Sequence, residues 1–242
     1  MSSLLSLDAL LGLATLTLME IVLGIDNVVF IAILAAKLPA AQRTLARRLG
    51  LTLALGIRIL LLLTISWIMG LTTPIVTVAE VELSGRSLIL LGGGLFLIFK
   101  ATREIYEKVE GEPHDAERGG SNAVFGWILL QILLLDIVFS LDSVITAVGM
   151  ANQVPVMITA MVLAMLVMLV SSGAVSDFVE RHPSVKLLAL AFLLLIGVML
   201  VAEGMGSHVS KGYVYFAMAF SLFVEMLNMR YRQRRPSRQA RA

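Results

Sequence analysis

Long apolar stretches separated by short polar links dominate the chain. A membrane-spanning helix needs about 20 mostly apolar residues, and seven stretches approach or exceed that length. They run 10–36, 49–70, 88–105, 124–150, 154–175, 185–202 and 213–228. This pattern predicts an all-α polytopic membrane protein with seven transmembrane helices. The first stretch is too long for one straight span, so we expect it to tilt or break.

The composition agrees with this interpretation. Of the 242 residues, 58% are hydrophobic and 15% are charged, whereas a soluble domain carries about 25% charged residues. A soluble enzyme, a disordered chain and a nucleic-acid-binding domain are therefore excluded. Since the chain contains no cysteine, disulfides, thiolate metal sites and thiol catalysis are excluded as well. We expect no enzymatic activity and a place in the bacterial inner membrane.

Basic residues lie mainly in alternate links, which predicts the orientation. The links after the first, third and fifth stretches and the C-terminal tail hold Lys37, Arg43, Arg47, Arg48, Arg103, Lys108, Arg118, Arg181, Lys186 and six arginines from Arg230 onward. The other links hold only Arg86 and Lys211. Because cytoplasmic loops are enriched in Lys and Arg, we expect the N-terminus outside and the C-terminus inside.

Two segments of the chain repeat each other at a constant offset. Residues 19–39 read MEIVLGIDNVVFIAILAAKLP, and residues 135–155 read LDIVFSLDSVITAVGMANQVP. The matched polar pairs are Glu20 with Asp136, Asp26 with Asp142, and Asn27 with Ser143. In the predicted orientation the two copies cross the membrane in opposite directions. Inverted three-helix repeats are typical of transporters, whose substrate site lies near the membrane midplane.

The repeat predicts how the chain is divided. The segments are a first three-helix repeat (1–107), a cytoplasmic acidic loop (108–122), a second inverted repeat (123–204), a seventh transmembrane helix (205–230) and a basic cytoplasmic tail (231–242). We expect the basic tail to lie near anionic lipid rather than to bind nucleic acid. Self-association into a homo-oligomer stays open.

Acidic residues outnumber basic ones inside the apolar stretches. The acids are Glu20, Asp26, Asp136, Asp142, Glu203 and Glu225, against the bases Arg58 and Lys100. An ionised side chain at the bilayer centre costs about 2.5–3.5 kcal/mol. Four negative charges therefore need a proton, a bound cation or a water-filled cavity, which indicates a cation path.

The acids of each motif are six residues apart, so a regular helix would point them in different directions. Gly24 and Ser140 lie between them, and Asp-Asn and Asp-Ser are favourable N-cap dipeptides. We therefore predict a kink or unwound turn at 23–26 and at 139–142, which would bring the acids to one cavity. Carboxylate, amide and hydroxyl oxygens suit Mn²⁺, Mg²⁺ or Ca²⁺. The alternative is a buried hydrogen-bond network that only specifies packing.

Several other polar residues in the apolar stretches have more than one interpretation. Lys100 and Glu203 could pair, gate the path or extend to the membrane interface, and Arg58 could pair with a motif acid. Glu225 and Asn228 lie one turn apart on one helical face, as a proton relay or supporting pair would. The run Gly92–Gly94 resembles a phosphate loop only superficially and is typical of close helix packing.

Several of these segments resemble the TerC family of integral membrane proteins. They are EIVLGIDNVVF, DIVFSLDSV, GGGLFLIFKATREIYE and SLFVEMLN, and the resemblance extends over about residues 8–231. The family is associated with tellurium resistance and manganese export. The resemblance implies an ion site formed by Glu20, Asp26, Asn27, Asp136, Asp142 and Ser143. It also implies roles for Lys100, Glu203 and Glu225.

The function expected from the residues and the resemblance is efflux of a divalent cation, most of all Mn²⁺, by alternating access. No cofactor is expected beyond the transported cation, and return of protons through the same carboxylates would drive export. The alternatives are exchange of Ca²⁺ or another cation, and a membrane-protein assembly or tellurite-resistance factor without transport. An intramembrane aspartyl hydrolase is disfavoured because the Gly-x-Gly-Asp signature is absent.

Overall fold

The computed structural model describes residues 7–64, 72–78, 81–111, 121–150, 154–207 and 210–234. These residues form seven α-helices and a two-stranded hairpin. The helices are α1 (Leu7–Ala35), α2 (Ala40–Leu63), α3 (Gly85–Glu110), α4 (Ser121–Met150), α5 (Val154–Arg181), α6 (Pro183–Gly204) and α7 (Lys211–Arg234). Each of the seven predicted stretches overlaps one helix, and residues 65–70 of the second stretch lie outside the described part. The coarse prediction of an all-helical membrane fold is therefore confirmed.

Local sequence signals set several of the helix ends. Pro39 precedes α2 and Pro183 opens α6, and proline is tolerated there because the first helical N–H groups have no partner within the helix. The Ser84 hydroxyl accepts a hydrogen bond from the Ser87 amide at 3.1 Å and caps α3. Gly111 ends α3 with a φ of 71°, a left-handed conformation that favours glycine.

A short hairpin, which the hydropathy pattern did not predict, precedes α3. Strand β1 (Pro74–Val78) pairs antiparallel with β2 (Val81–Ser84), with Val78 opposite Val81 and Pro74 opposite Ser84. The register shifts between Pro74 and Val76. Strand β2 leads directly into α3, so the hairpin fixes where that helix begins.

Five of the described helices are long and apolar enough to cross a membrane: α1, α4, α5, α6 and α7. Helices α2 and α3, which the sequence predicts as spans, are 24 and 26 residues long, but charged residues interrupt their apolar sequence. The charges are Arg43, Arg47, Arg48 and Arg58 on α2, and Arg86, Lys100, Arg103, Glu104, Glu107, Lys108 and Glu110 on α3. Seven spans therefore remain a prediction.

The bundle is built from pairs of helices that are distant in sequence. Helix α1 packs on α5, α2 packs on both α4 and α5, and α3 lies along α6. One apolar core connects α1 to α6, and a smaller cluster joins α1, α2 and α5. Helix α7 packs mainly on α6, and most of its large apolar side chains are exposed, as expected for a helix covered by lipid.

The sequence predicts a kink or an unwound turn in each motif; the unwound turn is wrong, and a kink stays a prediction. Helix α1 is continuous from Leu7 to Ala35, and α4 is continuous from Ser121 to Met150. Helix α3 also extends to Glu110, into the predicted 108–122 loop, and α4 begins at Ser121. The division of the chain into repeats, loop and tail stays a prediction, and residues 235–242 of the tail lie outside the described part.

Candidate cation site

Five buried polar side chains meet where α1, α2 and α4 come together. We call them the interior cluster: Glu20, Asn27, Arg58, Asp136 and Ser140. Two of them, Glu20 and Asp136, are the matched acids that begin the two sequence motifs. The tertiary structure therefore brings the equivalent positions of the two motifs to one place.

The Arg58 guanidinium lies between the two acids. Its Nη1 donates to Glu20 Oε2 at 2.8 Å, and its Nη2 and Nε donate to Asp136 Oδ1 at 2.9 and 3.2 Å. The three residues are only 4–5% exposed. Two carboxylates thus share one base, and the cluster carries one uncompensated negative charge when all three side chains are ionised.

Asp136 is the most heavily bonded member of the cluster. Besides Arg58, its Oδ1 accepts from Asn27 Nδ2 at 3.3 Å, and its Oδ2 accepts from Ser140 Oγ at 3.2 Å. Hydrogen bonds from neutral and charged donors stabilise the ionised form of a carboxylate. Asp136 therefore connects helices α1, α2 and α4 in a single network.

Helical spacing explains why these residues meet. Glu20 and Asn27 are seven residues apart, so they lie two turns apart on one face of α1, and Asp136 and Ser140 are one turn apart on α4. On α2, Arg58 continues a ridge with a spacing of four: Ala46, Gly50, Ala54, Arg58 and Leu62, all buried. The small residues of this ridge let α2 approach α4 closely, because a Cβ at Gly50 would lie 3.1 Å from Ile132 Cγ2.

The remaining predicted ligands cannot be placed from the structure. The side chains of Asp26, Asp142 and Ser143 lie outside the part that it describes, although the backbone there is helical. Among the side chains that are described, no three His, Cys, Asp or Glu residues are grouped to hold a metal ion. The described part of the predicted site therefore consists of Glu20, Asn27 and Asp136, with Arg58 between the acids.

Lys100 and Glu203 do not pair with each other. The Lys100 ammonium lies 3.1 Å from Glu104 Oε1 on the same helix, and Glu203 Oε1 accepts from Arg86 Nη2 at 2.6 Å. Lys100 lies fourteen residues beyond Arg86 along α3, so the two ion pairs are about four turns apart. Each predicted candidate therefore has a partner close to its own end of α3.

A second group of charges lies at the Lys100 end of α3. We call it the end cluster: Lys37, Lys100, Arg103, Glu104 and Glu107. The Lys37 ammonium, just after α1, contacts Glu104 and lies 3.4 Å from Glu107 Oε2, while Arg103 Nε donates to Glu107 Oε1 at 2.9 Å. The i,i+4 spacings of Lys100–Glu104 and Arg103–Glu107 were a signal for part of it, but the link to Lys37 is tertiary.

Glu225 and Asn228 contact each other on α7, as their spacing predicts. Asn228 Nδ2 donates to Glu225 Oε2 at 3.4 Å, and Glu225 Oε1 is buried without a hydrogen-bond partner among the described residues. Neither residue is bonded to the interior cluster in that part of the chain. The pair is therefore separate from the candidate cation site.

An apolar cavity of about 210 Å³ lies between α1, α6 and α7. Aliphatic and aromatic side chains line it, including Val29, Phe192 and Met218, and its lining contains no carboxylate or amide side chain. The phenol of Tyr215 is the one oxygen-bearing side chain of this lining, which is too few oxygen ligands for a divalent cation. This cavity is therefore not a candidate cation site.

Comparison with known proteins places the chain among membrane proteins. A family model described as integral membrane protein TerC family matches residues 5–240. The UPF0053 inner membrane protein YgdQ of Escherichia coli is 52% identical over 231 residues, which cover 95% of this chain and 96% of YgdQ. A UPF0053 protein of Haemophilus influenzae is 53% identical over 226 residues, 93% of this chain and 95% of that protein.

A longer relative matches only in part. The UPF0053 inner membrane protein YoaE of Escherichia coli is 56% identical over 217 residues, which are 90% of this chain but 42% of YoaE. The chain thus spans less than half the length of that relative. No solved structure matches the chain. The prediction of an inner-membrane protein is confirmed by the family and by the relatives' names.

Proposed function

The chain belongs to the TerC family of integral membrane proteins, and on that basis we propose that it exports a divalent cation, most of all Mn²⁺, from the cytoplasm. The interior cluster is the binding site in this proposal. Glu20, Asp136 and Asn27 bind the cation, together with Asp26, Asp142 and Ser143 from the rest of the two motifs. Transport proceeds by alternating access around this site.

One observation carries the proposal: two buried carboxylates from different helices share a single base. A bound cation would balance the resulting negative charge in this low-dielectric environment. The side chains bonded to Asp136 are the amide of Asn27 and the hydroxyl of Ser140 rather than sulfur or imidazole groups. Carboxylate, amide and hydroxyl oxygens suit Mn²⁺, Mg²⁺ and Ca²⁺. The chemistry of the cluster therefore favours a hard divalent cation.

The proposal includes seven spans and two inverted three-helix repeats. The helix contacts support it, because α1 on α5 is matched by α4 on α2. Contacts between α3 and α6 are also reciprocal. A Cβ at Gly94 would meet Gly197 O and Val201, and a Cβ at Gly197 would meet Gly94 O and Ile98. Such reciprocity is expected when equivalent helices cross on a two-fold axis.

The orientation in this proposal places the N-terminus outside and the end cluster on the cytoplasmic side. Protons return through the motif carboxylates as the cation leaves, which keeps those charges neutralised in a low-dielectric site. Inside-out vesicles that take up Mn²⁺ at a rate independent of an imposed pH gradient would contradict this coupling.

A deletion strain tests the function itself. We expect it to become selectively sensitive to Mn²⁺, and not to Mg²⁺, Ca²⁺ or Zn²⁺, and to accumulate cellular manganese. The wild-type gene should restore tolerance to Mn²⁺. An Asp136→Asn variant that is present in the membrane in the same amount as the wild-type protein should not. Unchanged manganese content in the deletion strain would reject the proposal, and selective Ca²⁺ sensitivity would replace Mn²⁺ by Ca²⁺ as the substrate.

A second candidate function is assembly of other membrane proteins or stress resistance without transport. The observation that favours it is the guanidinium of Arg58 between the two acids, which is what a packing network would contain. Under this function, acid-to-amide changes in the interior cluster disturb capture of partner proteins and leave manganese tolerance unchanged. The deletion strain and the Asp136→Asn variant therefore separate the two candidates.

A further inference from the structure

Arg58 occupies the place between Glu20 and Asp136 that a transported cation would need. Its three guanidinium nitrogens lie 2.8–3.2 Å from oxygens of the two acids. We infer that Arg58 is a tethered counter-cation, which covers the two carboxylates when the site is empty and is displaced when the metal binds. This inference rests on the proposed function. It identifies Arg58 as the residue that lets the transporter, with no metal bound, return to its cytoplasm-facing state.

The position of Arg58 on α2 suits this role. The small residues Ala46, Gly50 and Ala54 precede it on the same buried ridge, so the backbone of α2 lies close enough for the side chain to reach both neighbouring helices. The planar guanidinium can donate to two carboxylates at once, whereas a lysine ammonium acts as a point charge. Arg58 therefore spans the gap between α1 and α4 without a change in the helices.

Charge makes the metal and the guanidinium competitors. With Arg58 in place, the two acids and one base sum to one negative charge. The guanidinium already bonds Glu20 Oε2 at 2.8 Å and Asp136 Oδ1 at 2.9 Å, so a divalent cation that binds these two oxygens would lie directly beside it. Like charges at such distances repel strongly where water is scarce, so binding of the metal displaces the guanidinium.

The second half of the bundle shows that a base is not needed for packing at this depth. Helix α5, which corresponds to α2 in the proposed repeat, packs on α1. Its buried residues carry no charge: Val156, Met157, Ala160, Met161, Ala164, Met165, Met168, Ser172, Ser176 and Val179. Arg58 thus has no counterpart there, and it is the base that contacts both acids among the described residues.

The test measures two transport modes of the full chain in proteoliposomes. Net efflux carries Mn²⁺ into metal-free buffer, so the protein has to reorient without bound metal in every cycle. Exchange of Mn²⁺ for Mn²⁺ requires only the metal-bound protein to reorient. In Arg58→Gln we expect the ratio of net efflux to exchange to fall about tenfold or more below that of wild type. The matched control is Arg43→Gln, which removes a guanidinium that pairs with Glu180 at 3.3 Å and should leave the ratio of the two modes unchanged.

Arg58→Lys keeps the test decisive if Arg58→Gln does not fold. The ammonium retains the charge but loses the fork of donors, so we expect the ratio of net efflux to exchange to stay near that of wild type. Because lysine competes less well for the acids, the affinity for Mn²⁺ should rise about threefold or more. An unchanged or weaker affinity in this variant would contradict the inference.

The outcomes separate this inference from the proposed function. Wild-type proteoliposomes that carry Mn²⁺ in neither mode would contradict the proposed function, and the inference with it. Wild-type activity in both modes, with Arg58→Gln losing the two modes to the same extent, would contradict only the tethered counter-cation. Loss of net efflux with exchange retained would support both.

Discussion

The interior cluster and the end cluster are built from the same kinds of side chain and differ in charge balance. In the interior cluster the two acids, Glu20 and Asp136, share the single base Arg58. In the end cluster Glu104 and Glu107 meet three bases on α3 and next to α1. Burial alone does not separate them, because Glu104 is 4% exposed and Asp136 is 5% exposed.

The difference shows which buried acid can attract a cation. Glu104 is surrounded by positive charge, so a metal ion there would meet repulsion as well as attraction. Asp136 lies in a group with an excess of negative charge and with an amide and a hydroxyl group beside it. We therefore assign cation binding to the interior cluster and a structural role, joining α1 to α3, to the end cluster.

The largest expected effect comes from neutralising one acid in each cluster. Asp136→Asn removes the charge that accepts hydrogen bonds from Arg58, Asn27 and Ser140, and Mn²⁺ efflux should fall about 100-fold or more. The matched variant Glu104→Gln should keep efflux within about twofold but lower the free energy of unfolding by about 1–3 kcal/mol. Equal loss of efflux in both variants, measured in vesicles, would break the distinction between the clusters.

A steric change in α3 sharpens the structural side of the comparison. A Cβ at Gly94 would lie 2.8 Å from Gly197 O and 2.9 Å from Val201 N, and this backbone cannot move aside cheaply. Gly94→Ala should lower the free energy of unfolding by about 1–3 kcal/mol without changing the affinity for Mn²⁺. Gly92→Ala, whose Cβ would meet nothing within 4 Å, is the control and should be neutral or stabilise by up to about 1 kcal/mol. Thermal unfolding in detergent measures the stability of both variants. A change in Mn²⁺ affinity in Gly94→Ala would show that the packing of α3 affects the interior cluster.

A smaller effect is expected from the amide in the interior cluster. Asn27→Ala removes one donor to Asp136 Oδ1, and the affinity for Mn²⁺ should fall about fivefold, which corresponds to about 1 kcal/mol. The control on the same helix is Thr17→Val, because Thr17 Oγ1 is buried without a hydrogen-bond partner among the described residues. Calorimetric titration with Mn²⁺ compares the two, and a larger loss for Thr17→Val would show that α1 is sensitive to any change.

The smallest effect should come from the exposed edge of the end cluster. The Arg103 side chain is 65% exposed and pairs with Glu107 across one turn of α3. Such surface pairs contribute about 0.5 kcal/mol or less, so Arg103→Ala should leave unfolding and efflux close to wild type. A large loss of efflux in Arg103→Ala would give the end cluster a role in the transport cycle and would contradict its assignment as purely structural.

The motif acids show both the reach and the limit of inference from sequence. The repeat identified Glu20 and Asp136 as equivalent residues, and the structure places them on one guanidinium. The predicted unwound turn in each helix is wrong, because contact between the motifs does not need it. Asn27, seven residues from Glu20, already lies on the same face, and Asp136 finds its partners on α1 and α2.

Charged residues near helix ends were harder to assign. The sequence leaves open a pair between Lys100 and Glu203, yet the structure pairs Lys100 with Glu104 and Glu203 with Arg86. Sequence position alone does not reveal which end of a neighbouring helix lies alongside. The glycine run at 92–94 was correctly attributed to packing for Gly93 and Gly94, whereas Gly92 is exposed.

The sequence by itself determined that the chain is a helical membrane protein, that its apolar segments carry excess acid, and that two motifs repeat. These properties depend on composition and period, which are local along the chain. The tertiary structure decided that Arg58 bridges the two repeated acids and that Lys37 joins the end cluster. Such contacts depend on which helices pack together and at what depth. That choice is made by small residues: Gly94 and Gly197 let two helices approach to backbone contact distance, and Gly50 makes room for the side chain of Ile132.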